Sequence, residues 1–396
     1  MTSVPRTHSL TVLPLRNTPM PYDWGLPDGI DRLRGDHPAV SGRPQAELWY
    51  GTHHRAPARV VEDAEETPLP TILTRLGYMP RLPVLLKILA VGRPLSLQVH
   101  PDLPQARAAW AAEAPARAEG RVVNYADPSA KPEMICAVSE RFDALAGVRP
   151  AAELRAVLER LGEAGATEFR TRGIALLTVG GADALVRWAV AEGPSLSGEL
   201  SRALAGACPG TGLSPERLAL LRDAARAFPG DRGLVLAPLL NQVTLHRGEV
   251  LALPARQIHS YQHGIGVELM SSSDNVLRCG FTSKRVDADE LLRIGDFHSS
   301  APRVATPVDD GAVQTFTPLP GLRLRRVEAG STVLAVSEPT LALALGGSVR
   351  LGGRPLEPTE GQLLLPASTG TQCLAEIPAG ATVFLADTGA GDQLAS

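Results

Sequence analysis

The sequence predicts a mainly β protein with a helical insertion, organised as two β modules and one α-helical domain. Three observations predict it. Short apolar runs separated by Gly, Pro and Asp turns fill residues 1–148 and return after Pro229. Between them, from about 150 to 229, apolar residues recur every three or four positions, the period of an amphipathic helix. The closing stretch is again made of short apolar runs between Gly-Gly, Pro and Asp turns, as in LALALGGSVRLGGRPLEPTEGQLLLPAS. The expected divisions are 1–149 together with 230–300 as one β domain, 150–229 as the helical insertion, and 312–396 as a second β domain. SSAPRVATPVDDG, at 299–311, reads as the linker.

Taken in order, RLPVLLKILAV and LSLQVH read as two strands joined by a tight turn at GRP, and PQARAAWAAEAPARAEG as a short alanine-rich helix. Four segments of the insertion, AAELRAVLERLGEAG, GADALVRWAVAEG, LSGELSRALAGA and SPERLALLRDAARAF, each read as a helix stopped by Gly or Pro. SPER supplies an N-cap serine with proline at the first helical position. Beyond Pro229, LVLAPLLNQVTLHRGEVLALPARQIHSY and GIGVELMSSSDNVLRCGF read as strands. The two β modules share the texture of a diverged duplication, although no motif repeats.

Composition excludes several classes. An apolar fraction of 44% and a charged fraction of 20% belong to a globular chain. A net charge of −3 gives no general attraction to nucleic acid. Cys136, Cys208, Cys279 and Cys373 show no CxxC spacing, so neither a disulfide framework nor a thiolate zinc site is indicated. No apolar segment of signal-peptide length opens the sequence, and LPVLLKILAV is interrupted by Lys87 well short of a membrane span. The expectation is a soluble, cytoplasmic protein without membrane or nucleic-acid partners. Of 39 basic residues only three are lysine: Lys87, Lys131 and Lys284. An arginine-favouring genome explains the bias, but all three exceptions fall in the segments singled out next.

LSLQVHPD alternates Ser96, Gln98 and His100 with Leu95, Leu97 and Val99, so the polar set shares one strand face. A lone histidine is by default a core or surface group. Two further stretches raise this one above the default. SAKPEMICAV places Lys131 and Glu133 two apart at the mouth of an apolar strand, and PARQIHSYQ leads into His259 and Tyr261, also two apart. Three such pairs in separate strands suggest polar groups lining a barrel. Two histidines, one carboxylate and one amide make a plausible divalent-metal set with a position left open, although the residue types alone leave Gln98 beside the metal rather than on it. Glu268, in the apolar run GVELM, is a carboxylate whose burial requires a partner, and Arg278 and Lys284 follow it. By default these last are a solvated loop. Set beside Lys87, Lys131 and Ser96, they offer the charge and donors that a phosphate dianion needs.

These residues sit in motifs that together resemble the type I mannose-6-phosphate isomerase family, zinc enzymes of the cupin superfamily. The motifs are PYDWG, AELWYGTH, LPVLLKIL, LSLQVHPD, Tyr125-Ala-Asp127 through Lys131-Pro-Glu133, DALAGVRP, and HSY through VELMSSSDNVLRCGFTSK, in the family's order over most of the first 300 residues. The resemblance implies cupin-type β-barrels (jelly rolls) and one zinc ion per chain, held by Gln98, His100, Glu133 and His259. It implies Arg278 as the catalytic arginine, with Lys131, Glu268 and Lys284 lining the active site and Ser96, Lys87 and Tyr261 on the substrate and its phosphate. It further implies a monomer acting on a small sugar phosphate. Arg256 stands where the family usually has glycine, Ser129-Ala130 where Asn-His is common, and Ser283 where proline is common; these departures touch loop shape and substrate contacts, not the ligand positions.

The implied chemistry interconverts mannose 6-phosphate and fructose 6-phosphate through a cis-enediol. It needs an electrophile for the oxygens, an acid/base for the proton and an anchor for the phosphate. Glu268 is the candidate base, with Lys131 or a zinc-bound water as competitor; Arg278, permanently charged, suits enediolate stabilisation. Three alternatives stand beside this reading: a non-catalytic metal-binding cupin that senses a sugar phosphate, an isomerase of a related hexose or pentose phosphate, and an iron oxidoreductase, for which the Lys and Arg cluster would have no purpose.

Overall fold

The structure, a computed structural model, describes residues 10–34, 41–62 and 65–389. The outermost parts of the first and last expected modules, 1–9 and 390–396, lie outside the described residues.

The strand His259–Ser271 is the axis of the first β module. Its first half pairs with Arg141–Val148 and with Gln98 of Leu97–Val99; its second half pairs with Glu133–Ala137 and Val84–Val91, all antiparallel. The exchange of partners occurs at Gly264, whose φ is +122°. A side chain there would meet Arg141 O at 2.8 Å and Phe142 Cα at 2.9 Å, so only glycine lets the strand bend and serve two ladders. That bend turns the sheet into a barrel wall. Leu240–His246, Val250–Leu253, Glu47–Tyr50 and Leu277–Gly280 extend it on either side.

Alternation then sorts the faces. Leu86, Ile88 and Ala90 join a core shared with the C-terminal module, while Leu89 and Val91 join the core inside the barrel. Leu97 and Val99 face the core of the helical insertion, with Leu277, Cys279 and Phe281. The apolar side of LSLQVHPD is therefore the seat of the insertion, and its polar side looks the other way.

The expected mainly β architecture with a helical insertion is formed, with differences of detail. Val84–Val91 and Leu97–Val99 are not a hairpin: both run antiparallel to the same long strand, so GRP is a jog between collinear segments. In the insertion, Ala151–Glu163 and Pro215–Ala227 appear as expected, and Ser214 caps the latter by accepting from Arg217 N. The two middle segments, however, belong to one helical stretch, Thr167–Gly206, bent at Gly181 (φ 68°, ψ −163°) and passing through Pro194. The residue before a proline normally avoids the helix because its Cβ meets the proline ring; here that residue is Gly193, which has none. Among the described residues this stretch is also the one helix long and apolar enough to cross a membrane. Its bend and its burial of Leu185, Val186, Trp188, Leu196 and Leu200 in the insertion core make it an internal helix pair.

Residues 234–239, expected as strand, lie in short helical turns, and the strand begins at Leu240. The expected linker contains two strands, Arg303–Ala305 on Val250–Leu253 and Val308–Asp310 on Val313–Leu319. The N-terminal strand Leu10–Arg16, placed by sequence with the first module, pairs instead with Gly361–Pro366 of the C-terminal sheet, and Arg59–Glu62 and Glu65–Pro68 follow it there. Among the described residues the chain thus enters one β module, builds the other, and returns.

Candidate active site

Two cross-strand rows of polar side chains furnish the barrel. In the first, Arg278, Gln98 and His259 are directly opposite one another on three neighbouring strands. In the second, Trp49, Lys87 and Glu268 are opposite one another on three others. Directly paired residues of an antiparallel ladder project to the same side, so each row is a single facing set. Both open into one cavity of about 650 Å³, which Ser96, Lys131, Glu133, Tyr261 and Lys284 also line. His100 stands on the same face, and its ring centroid lies 4.9 Å from that of His259.

The structure brings His100, Glu133 and His259 into one metal-competent group. His259 Nε2 lies 3.0 Å from Glu133 Oε1, and His100 Nε2 lies 3.4 Å from Glu133 Oε2. On the far side of each ring, Nδ1 is 2.9 Å from Gln257 O in His259 and 2.7 Å from Asn275 O in His100. A carbonyl oxygen can only accept, so each Nδ1 carries the proton, and in the neutral ring each Nε2 turns a lone pair toward Glu133. The carboxylate opposite can also only accept, and Glu133 Oε1 is buried without a hydrogen-bond donor. Acceptors facing one another need a cation between them. Lys131 Nζ supplies one for Oε2 at 3.1 Å; a metal ion would supply the other. Gln98 Nε2 approaches His259 Nε2 at 3.2 Å, and a half-turn of its amide would present the oxygen instead. Two imidazoles, a carboxylate and an amide fit a borderline divalent ion such as zinc.

Electrostatics agree with that arrangement. Burial, then the Lys131 charge, pushes the His100 imidazole down to about 3, so the ring is neutral and able to ligate. Burial works against the charge on Glu133, but the Lys131 ammonium beside it favours the ionised form, and the carboxyl lies well below its usual range.

Glu268 is buried and paired, as its place in an apolar strand required. Lys87 Nζ lies 3.2 Å from its Oε2 and 3.6 Å from Glu47 Oε2, with the ammonium 4.6 Å over the Trp49 ring. Trp49 Nε1 in turn donates to Glu47 at 2.5 Å. Burial raises the Glu268 carboxyl above its usual range, opposed by Lys87 and reinforced by Glu133. Burial is offset for Lys87 by Glu268 and Glu47, which keep it protonated. An ammonium held between two carboxylates adds little free positive charge for a phosphate. The open positive charge lies at the other end of the cavity, where Arg278, Lys284 and Arg55 repel one another and Asp274 offsets Arg278. Ser96 donates to Gln98 Oε1 at 3.3 Å. Tyr261 is buried beside Phe142 and His259, and burial, then Glu133 and Glu268, hold its phenol well above the ordinary range.

Arg256 takes φ +71°, the left-handed conformation that glycine adopts freely. It is held there by three backbone and side-chain bonds: its N–H to His100 O at 2.7 Å, Asp296 N to its carbonyl at 2.9 Å, and its Nε to Ile294 O at 3.1 Å. Sequence reasoning did not single out Glu47, Trp49, Arg55, Asp274 or Asn275 as site residues. Glu47 and Trp49 alternate with Leu48 and Tyr50, the signal that identified LSLQVHPD; Asn275 acts through its backbone carbonyl, which no residue type announces.

Comparison with known proteins gives the same result. A sequence model of the phosphomannose isomerase type I catalytic domain matches residues 12–151. The mannose-6-phosphate isomerase of Escherichia coli (strain K12) is 32% identical over 330 residues, covering 77% of this chain and 80% of that protein. Two solved structures superpose over 96% of this chain and all of theirs. One is a His-to-Gln variant of phosphomannose isomerase from Salmonella typhimurium (25% identity, TM-score 0.82), and the other a zinc-bound holo mannose 6-phosphate isomerase (26% identity, TM-score 0.80). The chain belongs to the type I mannose-6-phosphate isomerase family.

Proposed function

We propose that this protein is a zinc-dependent aldose–ketose isomerase that interconverts mannose 6-phosphate and fructose 6-phosphate. The observation that carries the reading is the pairing, in one cavity, of a lone-pair-lined metal face with a buried carboxylate whose affinity for protons is raised. A sensor would need the metal face and the positive rim but not Glu268.

Gln98, His100, Glu133 and His259 would hold the metal, which when bound supplies a Lewis acid for the sugar oxygens. Glu268 takes the proton from carbon 2 of the aldose and returns it to carbon 1, its raised pKa matching it to proton transfer near neutral pH. Lys87 and Glu47 fix its orientation. Arg278 stabilises the negative charge that the enediolate carries. Lys284 and Arg55 bind the phosphate at the cavity mouth, and Ser96 orients Gln98 and the adjacent hydroxyls. Lys131 holds Glu133, and Tyr261 closes the cavity floor.

The same reading has the chain acting as a monomer in the cytoplasm on a small sugar phosphate. Its cysteines are unpaired, as a reducing compartment leaves them. A coupled assay for fructose 6-phosphate formed from mannose 6-phosphate, with chelator and then zinc, tests the function. Turnover that disappears and returns supports it; binding without turnover assigns the sensor, and faster turnover of another sugar phosphate reassigns the substrate.

A further inference from the structure

A second group of metal-competent donors stands at the mouth of the same cavity. His53 Nε2 lies 3.2 Å from Asp274 Oδ2, and His54 Nε2 lies 3.8 Å from that same oxygen. All three ligand atoms fall within 4.8 Å of one another. The inner set has its closest nitrogen–oxygen approaches at 3.0 and 3.4 Å, so the two groups are comparably compact.

Two of the three donors, His53 and Asp274, are held in place by their surroundings. Adjacent side chains ordinarily diverge, yet the two rings stack 4.6 Å apart at 28°, both turned toward one carboxylate oxygen. His53 is buried against the edge of Trp49, with ring centroids 4.9 Å apart. Asp274 is fixed by its backbone N–H, which donates to Asp127 Oδ2 at 2.9 Å. Its other oxygen lies 3.8 Å from Arg55, which leaves Oδ2 to the imidazoles.

We propose that His53, His54 and Asp274 form a second divalent-cation site, distinct from the metal face within the barrel. Two imidazoles and one carboxylate suit a borderline ion such as zinc or cobalt; the ion would displace the Nε2 proton that His53, whose Nδ1 accepts from Arg55 N at 3.4 Å, directs at Asp274, and its remaining positions would be taken by water or by a ligand in the cavity. The site is weaker than the inner one: it has three protein donors, and the His54 side chain is 76% exposed. It also reaches the inner site through one peptide, because Asn275, next to Asp274, gives its carbonyl to His100.

The test uses the full chain loaded with one equivalent of zinc and dialysed. Cobalt is then titrated in, read by calorimetry, by visible absorption and by elemental analysis of both metals. The expected result is one added cobalt per chain with the zinc retained. His54→Ala should weaken that added cobalt by roughly tenfold or more, while bound zinc and turnover without cobalt stay at the wild-type level. Cobalt that enters only by displacing zinc, or that binds His54→Ala as tightly as the wild type, overturns the proposal. The readout is metal content, so its failure is separate from any failure of the isomerase reading.

Discussion

Lys87 and Glu268 face each other across neighbouring antiparallel strands, Nζ 3.2 Å from Oε2, inside a barrel where both side chains are buried. We propose that a lysine so paired steers the carboxylate rather than a phosphate. Lys87→Ala is therefore expected to lower kcat by about a hundredfold while KM changes little. It also removes the main influence opposing the rise of the Glu268 pKa, so the acid side of the pH–rate profile should move to higher pH. A large rise in KM with kcat preserved would return Lys87 to the phosphate.

Glu268→Gln keeps the shape and loses the proton acceptor. Turnover should fall by about a hundredfold to ten-thousandfold with zinc content unchanged. In the wild type a base must be ionised to act, so activity is lost as pH falls through its pKa. Because burial raises that pKa, the loss should begin above the range of an ordinary carboxylate. A profile flat down to acid pH would exclude Glu268 as the base.

Arg278 shares its row with Gln98 and His259, which places its charge beside the metal face. Arg278→Ala should lower kcat by about a hundredfold or more, with a much smaller rise in KM. The reverse split in steady-state kinetics would make it a substrate-binding group.

Metal removal should also destabilise the fold, because it leaves Glu133 Oε1 and two imidazole lone pairs facing one another in a buried site. Binding at a thousandfold excess over Kd contributes about 4 kcal/mol. Chelation should lower the melting temperature measurably, and zinc should restore it. Glu133→Gln should abolish the zinc-dependent part of that shift.

Arg256 occupies a left-handed conformation at φ +71°. Replacement by glycine removes the backbone strain but also the bond from Nε to Ile294 O, so Arg256→Gly should alter stability by about 1 kcal/mol or less. Arg256→Val, β-branched and without that bond, should cost about 2 kcal/mol in denaturant unfolding. Equal stability of the two variants would mean that the backbone there is not strained.

Much of the site was legible because strand alternation is a local rule. Ser96, Gln98 and His100 had to share a face, and a buried Glu268 had to have a partner, whatever the fold. What alternation cannot say is which partner. Lys87 lies 181 positions before Glu268 in sequence, and their pairing depends on strand register, set by the bend at Gly264. Glu47 and Trp49 carried the same local signal in AELWYGTH, but their relation to Lys87 exists only through the ladder that joins Glu47–Tyr50 to Val84–Val91.

By itself, then, the sequence determined the class of fold, the helical insertion, the family, and the side chains able to hold a metal, because composition, periodicity and motif order are properties of short stretches. Tertiary structure alone decided that Lys87 pairs with Glu268, that Arg55 and Asp274 stand at the cavity mouth, and that the first described strand belongs to the C-terminal sheet. Those relations join residues far apart in the chain. They are settled by which strand edges and apolar faces find each other on folding, and no local pattern carries that choice.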